Sequence, residues 1–392
     1  MTELHLRAVR GYAELDAAFG AGPQLVWGPN AAGKTSLLEA IVVLAWGRSH
    51  RAASDVELIR WGEEVARIEG RVEAPPGPGG GSPGTVLEVA IARAGAGSRK
   101  RVRVNGIGRR ASELAGILRT VVFAPEEMLL VTGSPALRRA EIDQLAAQRS
   151  RAFAADSATY ARALQQRNGL LRAIREERAG RDELAFWDEV IVETGGAIVA
   201  ERRRLLEELA GPLARAHAEI APEEAAAGPL GLRYETNAPP RPGETVRDAL
   251  ARRLAETADK EIWNGATLVG PHRDDIVFVQ AGRDLAGFAS RGQQRTAILA
   301  LKLAELDLLT ELDGRPPLLL LDDVFSELDP ERRSHLVRRL SELPQSFVTT
   351  TTPEDLDPAL VAAATVWQVV PDTGAGARLV GPAVGSASRG AG

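Results

Sequence analysis

The stretch Gln24–Ile41, QLVWGPNAAGKTSLLEAI, constrains this chain more than any other. Apolar residues end a strand, a glycine-containing turn follows, and a helix begins whose first turn holds Lys34, Thr35 and Ser36. The turn Gly28-Pro29-Asn30-Ala31-Ala32-Gly33-Lys34-Thr35 fits G-x-x-x-x-G-K-[ST], and each fixed position has a physical reason. Gly28 and Gly33 let the backbone adopt positive φ and pass close to an anion, so that successive N–H groups point at phosphate oxygens. The helix then opens with unpaired amides and its positive dipole end toward the same anion. Lys34 is placed to reach β- and γ-phosphates, and the Thr35 hydroxyl to hold Mg²⁺. The only lysines are Lys34, Lys100, Lys260 and Lys302, so a chance Gly-Lys-Thr in this context is rare. A strand–loop–helix cradle for a nucleotide, and hence an α/β fold, is the expectation.

A chain of 392 residues exceeds one compact domain, so two lobes are expected. No apolar run approaches the roughly 18–20 residues that cross a bilayer, and no basic-then-apolar leader opens the chain. There is no cysteine, which removes disulfides and thiolate metal sites; any metal must sit on oxygen ligands. A cytoplasmic protein without a membrane partner is therefore expected. The formal net charge of −5 does not announce a nucleic-acid binder, but charge is segregated. Between Arg93 and Arg110 stand Arg93, Arg99, Lys100, Arg101, Arg103, Arg109 and Arg110 with no acidic residue among them, a candidate phosphate-backbone contact. A solvated hairpin is the plainer alternative.

Leu4–Val9 alternates as a half-buried strand, with Glu14–Phe19 as its pairing candidate; Val65–Glu73, Thr85–Arg93 and Lys100–Asn105 repeat the pattern. The N-terminal lobe thus carries an antiparallel β layer besides the sheet around the cradle. APPGPGGGSPG, Ala74–Gly84, reads as a flexible loop. Thr120–Phe123 is a short strand closed by Pro125. From Ser134 to about His217 the sequence turns to charged, alanine- and arginine-rich helix, an arm-like insertion. Ala221–Gly243 is broken by Pro and Gly, Glu244–Asn264 returns to helix, and Ile276–Gln280 to strand. GFASRGQQ, Gly287–Gln294, opens an apolar helix over Thr296–Leu312. The expected organisation is residues 1–133 and 315–370 as the nucleotide lobe, 134–314 as a helical lobe, and 371–392 as a disordered, Gly/Ala/Ser-rich tail.

The stretch PPLLLLDDVFSELD, Pro316–Asp329, supplies the second part of the site. Four leucines before a carboxylate pair describe a fully buried parallel strand whose C-terminal end emerges at the ligand side. Asp322 stands where it would face the Mg²⁺ held by Thr35, and Asp323 where a water-activating carboxylate sits. A third part is the loop Ser290-Arg291-Gly292-Gln293-Gln294, a helix N-terminus able to offer a hydroxyl and amides to the γ-phosphate presented by a second copy. Read alone, it is an ordinary helix cap by Ser290.

The segments GPNAAGKTSLLEAI, SHRAASDVELIRWG, VVFAPEEMLLVTGSPALRR, TLVGPHRDDI, FASRGQQRTAILALKLAEL and LLLLDDVFSELDPERR, in that order from near residue 10 to about 350, make the chain resemble the RecF family. These are bacterial recombination mediators with an ATP-binding-cassette head related to SMC heads. The resemblance implies that the loop amides with Lys34, Thr35 and Ser36 hold ATP and Mg²⁺, with Asp322 as the Walker-B carboxylate. It puts Asp323 in place of the usual glutamate and makes Lys34, Asp322 and Asp323 the catalytic set. Ser290, Gly292 and Gln293 would form a signature motif meeting the ATP of a second subunit. Asp329 would belong to the dimer-seam loop Ser326–Asp329, and Thr350 would take the place of a switch histidine. The family binds gapped DNA and duplex–single-strand junctions without sequence preference, dimerises on ATP, acts with RecO and RecR to load RecA, and works at the nucleoid.

Three departures from the general cassette pattern matter. The signature reads SRGQ, no glutamine follows Thr120–Phe123, and Asp323 reaches about 1.5 Å less far than glutamate would. Slow hydrolysis suited to a switch is the expected consequence. Two readings compete: an ATPase subunit of a transporter, opposed by the helical arm and these same departures, and a scaffold that holds its nucleotide without hydrolysis. An SMC-type head would need hundreds of coiled-coil residues, for which there is no room.

Overall fold

A computed structural model describes residues 1–73, 84–95, 97–372, 374 and 376–381, apart from the side chains of Glu327 and Asp355. The chain opens with β1 (Glu3–Val9) and β2 (Tyr12–Ala18), an antiparallel hairpin in register Leu6↔Leu15, then β3 (Gly22–Trp27) and α1 (Lys34–Trp46). Next come β4 (Val65–Val72), β5 (Thr85–Ala94), β6 (Gly97–Val104), β7 (Ile107–Arg109) and β8 (Thr120–Phe123). The expected flexible loop at 74–83 lies outside the described residues.

The middle of the chain is mostly helical: α2 (Pro135–Arg149), α3 (Arg151–Arg175), α4 (Leu184–Ile220), α5 (Pro222–Ala225), β9 (Leu230–Glu235), α6 (Val246–Asn264), β10 (Asp275–Gln280), β11 (Arg283–Asp284) and α7 (Arg291–Glu311). The chain then returns through β12 (Leu318–Asp322), α8 (Pro330–Ser341), β13 (Gln345–Thr350), α9 (Pro358–Ala363), β14 (Thr365–Asp372) and β15 (Gly376–Val380). Two compact units result, Met1–Glu126 with Arg315–Gly392, and Glu127–Gly314. The change of unit comes at Glu127, earlier than the Ser134 expected; Glu127 pairs with Lys302 of α7 at 3.0 Å.

Among the described residues of the first unit, one sheet runs β7-β6-β5-β4-β1-β2-β15-β14-β3-β13-β12-β8. Its β14-β3-β13-β12-β8 half is parallel, with Leu321 opposite Phe123 and Val348 opposite Leu25. β12 is buried at all five positions, as strands covered on both faces must be, and its leucines meet that demand. α1 is buried almost throughout, from Leu37 to Ala45, in one apolar cluster with Leu4, Leu6, Ile68, Val89 and Leu320. Each such aliphatic side chain contributes roughly 1.5–3 kcal/mol on burial, which fixes the helix that starts at the cradle.

The antiparallel layer is not separate from the cradle sheet but continuous with it, because β14 and β15 fill the place between β2 and β3. Those strands extend into the region taken as a disordered tail: β14 runs to Asp372, and Gly376–Val380 pairs with it in register Leu379↔Val369. Residues 382–392 lie outside the described set.

In the helical unit, α3 and α4 pack through Leu171, Ile174 and Leu184 with Ile262 of α6. β9, β10 and β11 form a small antiparallel sheet, and β9 was missed within the Pro- and Gly-broken stretch. The segment TLVGPHRDD is the polar hub of this unit. Arg167, 1% exposed, donates to Thr267 Oγ1 at 2.9 Å and pairs with buried Glu261 at 2.7 Å. Arg202 pairs with Asp143 and donates to the Pro271 carbonyl at 2.7 Å. Tyr234 donates to Asp274 at 2.6 Å, and Arg138 pairs with Asp275 at 2.8 Å. His272, bonded to Tyr160 at 2.6 Å, is kept neutral by burial, which pushes its pKa down to about 4. The motif's polar groups are thus consumed in holding helices together. Among the described residues no helix is long and apolar enough to cross a membrane.

Candidate nucleotide-binding site

The cradle forms where β3 ends at Trp27 and the chain must turn into α1. Gly28 takes φ 155°, and a Cβ there would lie 2.4 Å from the Val369 carbonyl oxygen of β14. Gly33 takes φ 115°, and a Cβ there would press on Ala377 and the Tyr12 ring. Only glycine meets both demands, conformation and clearance. Tyr12 donates its hydroxyl to the Gly33 carbonyl at 3.1 Å, bracing the loop from beneath. Pro29, Asn30 and Ala31 form the exposed rim, Ala32 and Lys34 are buried, and Thr35 and Ser36 are half-buried.

Lys34 Nζ donates to the carbonyls of Gly28 at 2.7 Å and Pro29 at 3.0 Å. Burial lowers its pKa, opposed by the charges of Asp323 and Asp322, so the ammonium and both carboxylates share one electrostatic environment. Thr35 Oγ1 donates to Asp322 Oδ1 at 3.1 Å across 287 residues of sequence. The parallel sheet therefore brings the helix start and the β12 carboxylate into contact. Two hard oxygens so placed suit Mg²⁺, whose remaining positions phosphate oxygens and water would complete.

Asp323 takes φ 53° and ψ 28°, a left-handed conformation that costs a side-chain-bearing residue roughly 1–2 kcal/mol. Ser326 Oγ donates to its carbonyl at 2.8 Å. Asp329 caps α8, accepting from Arg332 N–H at 3.0 Å. Thr350 is engaged in a local turn, its Oγ1 3.2 Å from the Thr352 carbonyl and 3.3 Å from the Thr352 N–H. Sequence reasoning missed Thr349, one residue earlier, whose hydroxyl touches both aspartates. It also missed Glu39, fully buried on α1, where burial raises its pKa but the fork from Arg10, 2.8 Å at each oxygen, and Ser49 hold it below the ordinary value.

In the helical unit, Ser290 is the N-cap of α7 and lies exposed. It accepts from Gln293 N–H at 3.3 Å, while its own N–H donates to Gln293 Oε1 at 2.9 Å, a reciprocal capping box. Gly292 follows on the first turn, half-buried. The helix begins at Arg291 rather than Thr296 because this box starts it early. Arg291, the first residue of that helix, is exposed.

The basic cluster divides by strand alternation. On β6, Arg99, Arg101 and Arg103 face solvent, whereas Lys100 points to the opposite side. There it pairs with Asp55 at 2.8 Å and donates to the Gly47 carbonyl at 2.7 Å, so Lys100 is withdrawn from the candidate DNA surface. The three arginines, with Arg67 and Arg93, line a groove of about 640 Å³ together with Val65, Ala90 and Ala92 and the carboxylates Glu69 and Glu88. Arg93 Nε donates to the Glu63 carbonyl at 3.1 Å. Arg103 lies 3.6 Å from Glu88 and Arg109 3.7 Å from Glu113, which temper the charge at that end; Arg110 is exposed.

The profile of the RecF/RecN/SMC N-terminal domain matches residues 1–370. The DNA replication and repair protein RecF of Symbiobacterium thermophilum is 40% identical over 361 residues, covering 91% of this chain and 92% of that protein. A solved structure of the recombination mediator protein RecF with ATPrS, from the RecFOR pathway, superposes with a TM-score of 0.83 at 32% identity, covering 97% of this chain and 98% of that one. An Smc head bound to the C-terminal winged-helix domain of ScpA is similar in fold alone, with a TM-score of 0.52 at 16% identity over 98% of this chain and 97% of that one.

Proposed function

The chain belongs to the RecF family of DNA replication and repair proteins, and from that premise we propose that it is an ATP-gated DNA clamp. The observation that carries the reading is the contact of Thr35 with Asp322 beside the Gly28–Gly33 loop, which assembles a nucleotide site from both ends of the chain. ATP seats its phosphates on the loop amides, and Lys34 exchanges the Gly28 and Pro29 carbonyls for the β- and γ-phosphates. Mg²⁺, held by Thr35 and Asp322, would neutralise charge developing on the phosphates. Asp323 orients the attacking water and takes its proton, with the short reach that makes turnover slow.

The capped start of α7, with Ser290, Gly292 and Gln293, receives the γ-phosphate bound by a second copy, so that ATP joins two subunits and hydrolysis parts them. Asp329 and Thr350 lie along that seam. DNA, at gaps and duplex–single-strand junctions, is held through its phosphates by Arg99, Arg101 and Arg103 with Arg93, Arg109 and Arg110 at the margins. The protein works with RecO and RecR in loading RecA, at the nucleoid in the cytoplasm.

Light scattering without nucleotide, with ADP and with ATP tests this for wild type, Lys34→Met and Ser290→Arg. Dimerisation with ATP alone, abolished by both substitutions, is the expected outcome. A mass that ignores ATP would dismiss the two-subunit site for the isolated protein.

A further inference from the structure

We propose that Thr349 is a positioning residue of the ATPase site, a role that rests on the ATP-hydrolysing reading above. It lies at the end of β13, fully buried, directly opposite Asp322 of β12 in the parallel register. A valine would satisfy that packing, so the hydroxyl needs another explanation. Thr349 Oγ1 accepts from the Asp323 N–H at 3.0 Å and lies 2.6 Å from Asp322 Oδ1. A hydroxyl has one proton, and with the amide donating to it, that proton goes to the carboxylate.

One side chain therefore fixes both acidic residues in different ways. For Asp322 it supplies a second hydroxyl on Oδ1, beside that of Thr35. When Thr35 turns its hydroxyl to another ligand, Thr349 is the donor that stays on this oxygen. For Asp323 it anchors the amide at the point where the chain leaves the strand in a left-handed conformation, which sets the direction of the Asp323 side chain. Thr350, by contrast, is tied to its own turn through Thr352. The working hydroxyl is one residue earlier than the position aligned with a switch histidine.

The test compares wild type, Thr349→Val and Thr349→Ser in two readouts: ATP affinity with and without Mg²⁺, followed with a fluorescent ATP analogue, and steady-state hydrolysis. For Thr349→Val, affinity without Mg²⁺ should stay within about twofold of wild type, the strengthening by Mg²⁺ should shrink, and kcat should fall roughly tenfold to a hundredfold. Thr349→Ser, which keeps the hydroxyl, should restore both. Retention of the Mg²⁺ effect in Thr349→Val overturns the proposal, as does equal loss in the serine and valine variants, or a loss of Mg²⁺-free affinity as large as the loss with Mg²⁺. If wild type binds ATP without hydrolysing it, the ATPase reading fails on its own, and the Mg²⁺ dependence of binding still decides the role of Thr349.

Discussion

Lys302, on α7, is 2% exposed and surrounded by carboxylates: Glu127 at 3.0 Å, Glu305 at 3.6 Å, and Glu141 in direct contact. Three carboxylates crowd one ammonium, and the one that is most deeply buried, Glu305, is the costliest to ionise. Burial, reinforced by the charge of Glu141, raises the Glu305 pKa well above its ordinary value of 4.5. Replacing Lys302 by methionine keeps the volume and removes the charge that Glu127 and Glu141 need. Breaking a buried pair from one side costs about 3–5 kcal/mol, a large part of a typical domain's stability. Urea denaturation of wild type and Lys302→Met should show that loss. A difference under about 0.5 kcal/mol, the size of an ordinary surface effect, would refute the reasoning.

The same cluster sets a pH dependence. An acid whose folded-state pKa is raised contributes stability that is fully present below its unfolded pKa and is lost as pH rises through the folded one. Stability of the helical unit should therefore decline as pH rises from 4.5 through the raised value of Glu305, and Glu305→Gln, which fixes the neutral form, should flatten that decline. An unchanged slope in that variant would show that Glu305 is ionised in the fold.

Charge reversal at Arg99, Arg101 and Arg103 together should lower DNA affinity by at least about a hundredfold at physiological salt and flatten its salt dependence in fluorescence anisotropy, leaving ATP binding intact. Lys100→Glu should lower the melting temperature through its lost pair with Asp55 while changing DNA affinity little. Gly28→Ala, which sets a Cβ 2.4 Å from a backbone oxygen of β14, should abolish ATP binding measured by calorimetry. Arg167→Leu leaves Glu261 buried without its partner and should cost about 3–5 kcal/mol in denaturation, with no direct effect on the nucleotide site.

Much of the site was legible because its chemistry is local in sequence. Gly28–Thr35 and Leu318–Asp323 each carry their own structural context, strand before loop or carboxylate. Lys100 was grouped with its neighbours because a charge run was read without its strand period; alternation along β6 separates it from Arg99 and Arg101. Strand β9 is six residues between breakers, too short for its alternation to stand out. β15, GARLV, looks like low-complexity tail, and pairing with β14 is what makes it a strand. The part played by Thr349 could not be read at all, since it depends on which residue of a neighbouring strand lies opposite, a fact of register rather than of composition.

The place of β14 has a consequence for how the protein is made. Trp367 of that strand donates to Gln24 of β3, 343 residues earlier, at 3.0 Å. At a ribosome adding about 5–20 residues per second, the strand leading into the cradle waits tens of seconds for both its neighbours. The helical unit, contiguous from Glu127 to Gly314, has all its residues about 50 residues before β14 begins, a lead of roughly 3–10 s at that rate. Vectorial synthesis therefore favours a nascent chain whose helical unit is closed while the nucleotide loop is still unsupported, unable to engage ATP until β14 has been made. Arrested chains ending before Thr365 should show protease protection of the helices and no nucleotide binding.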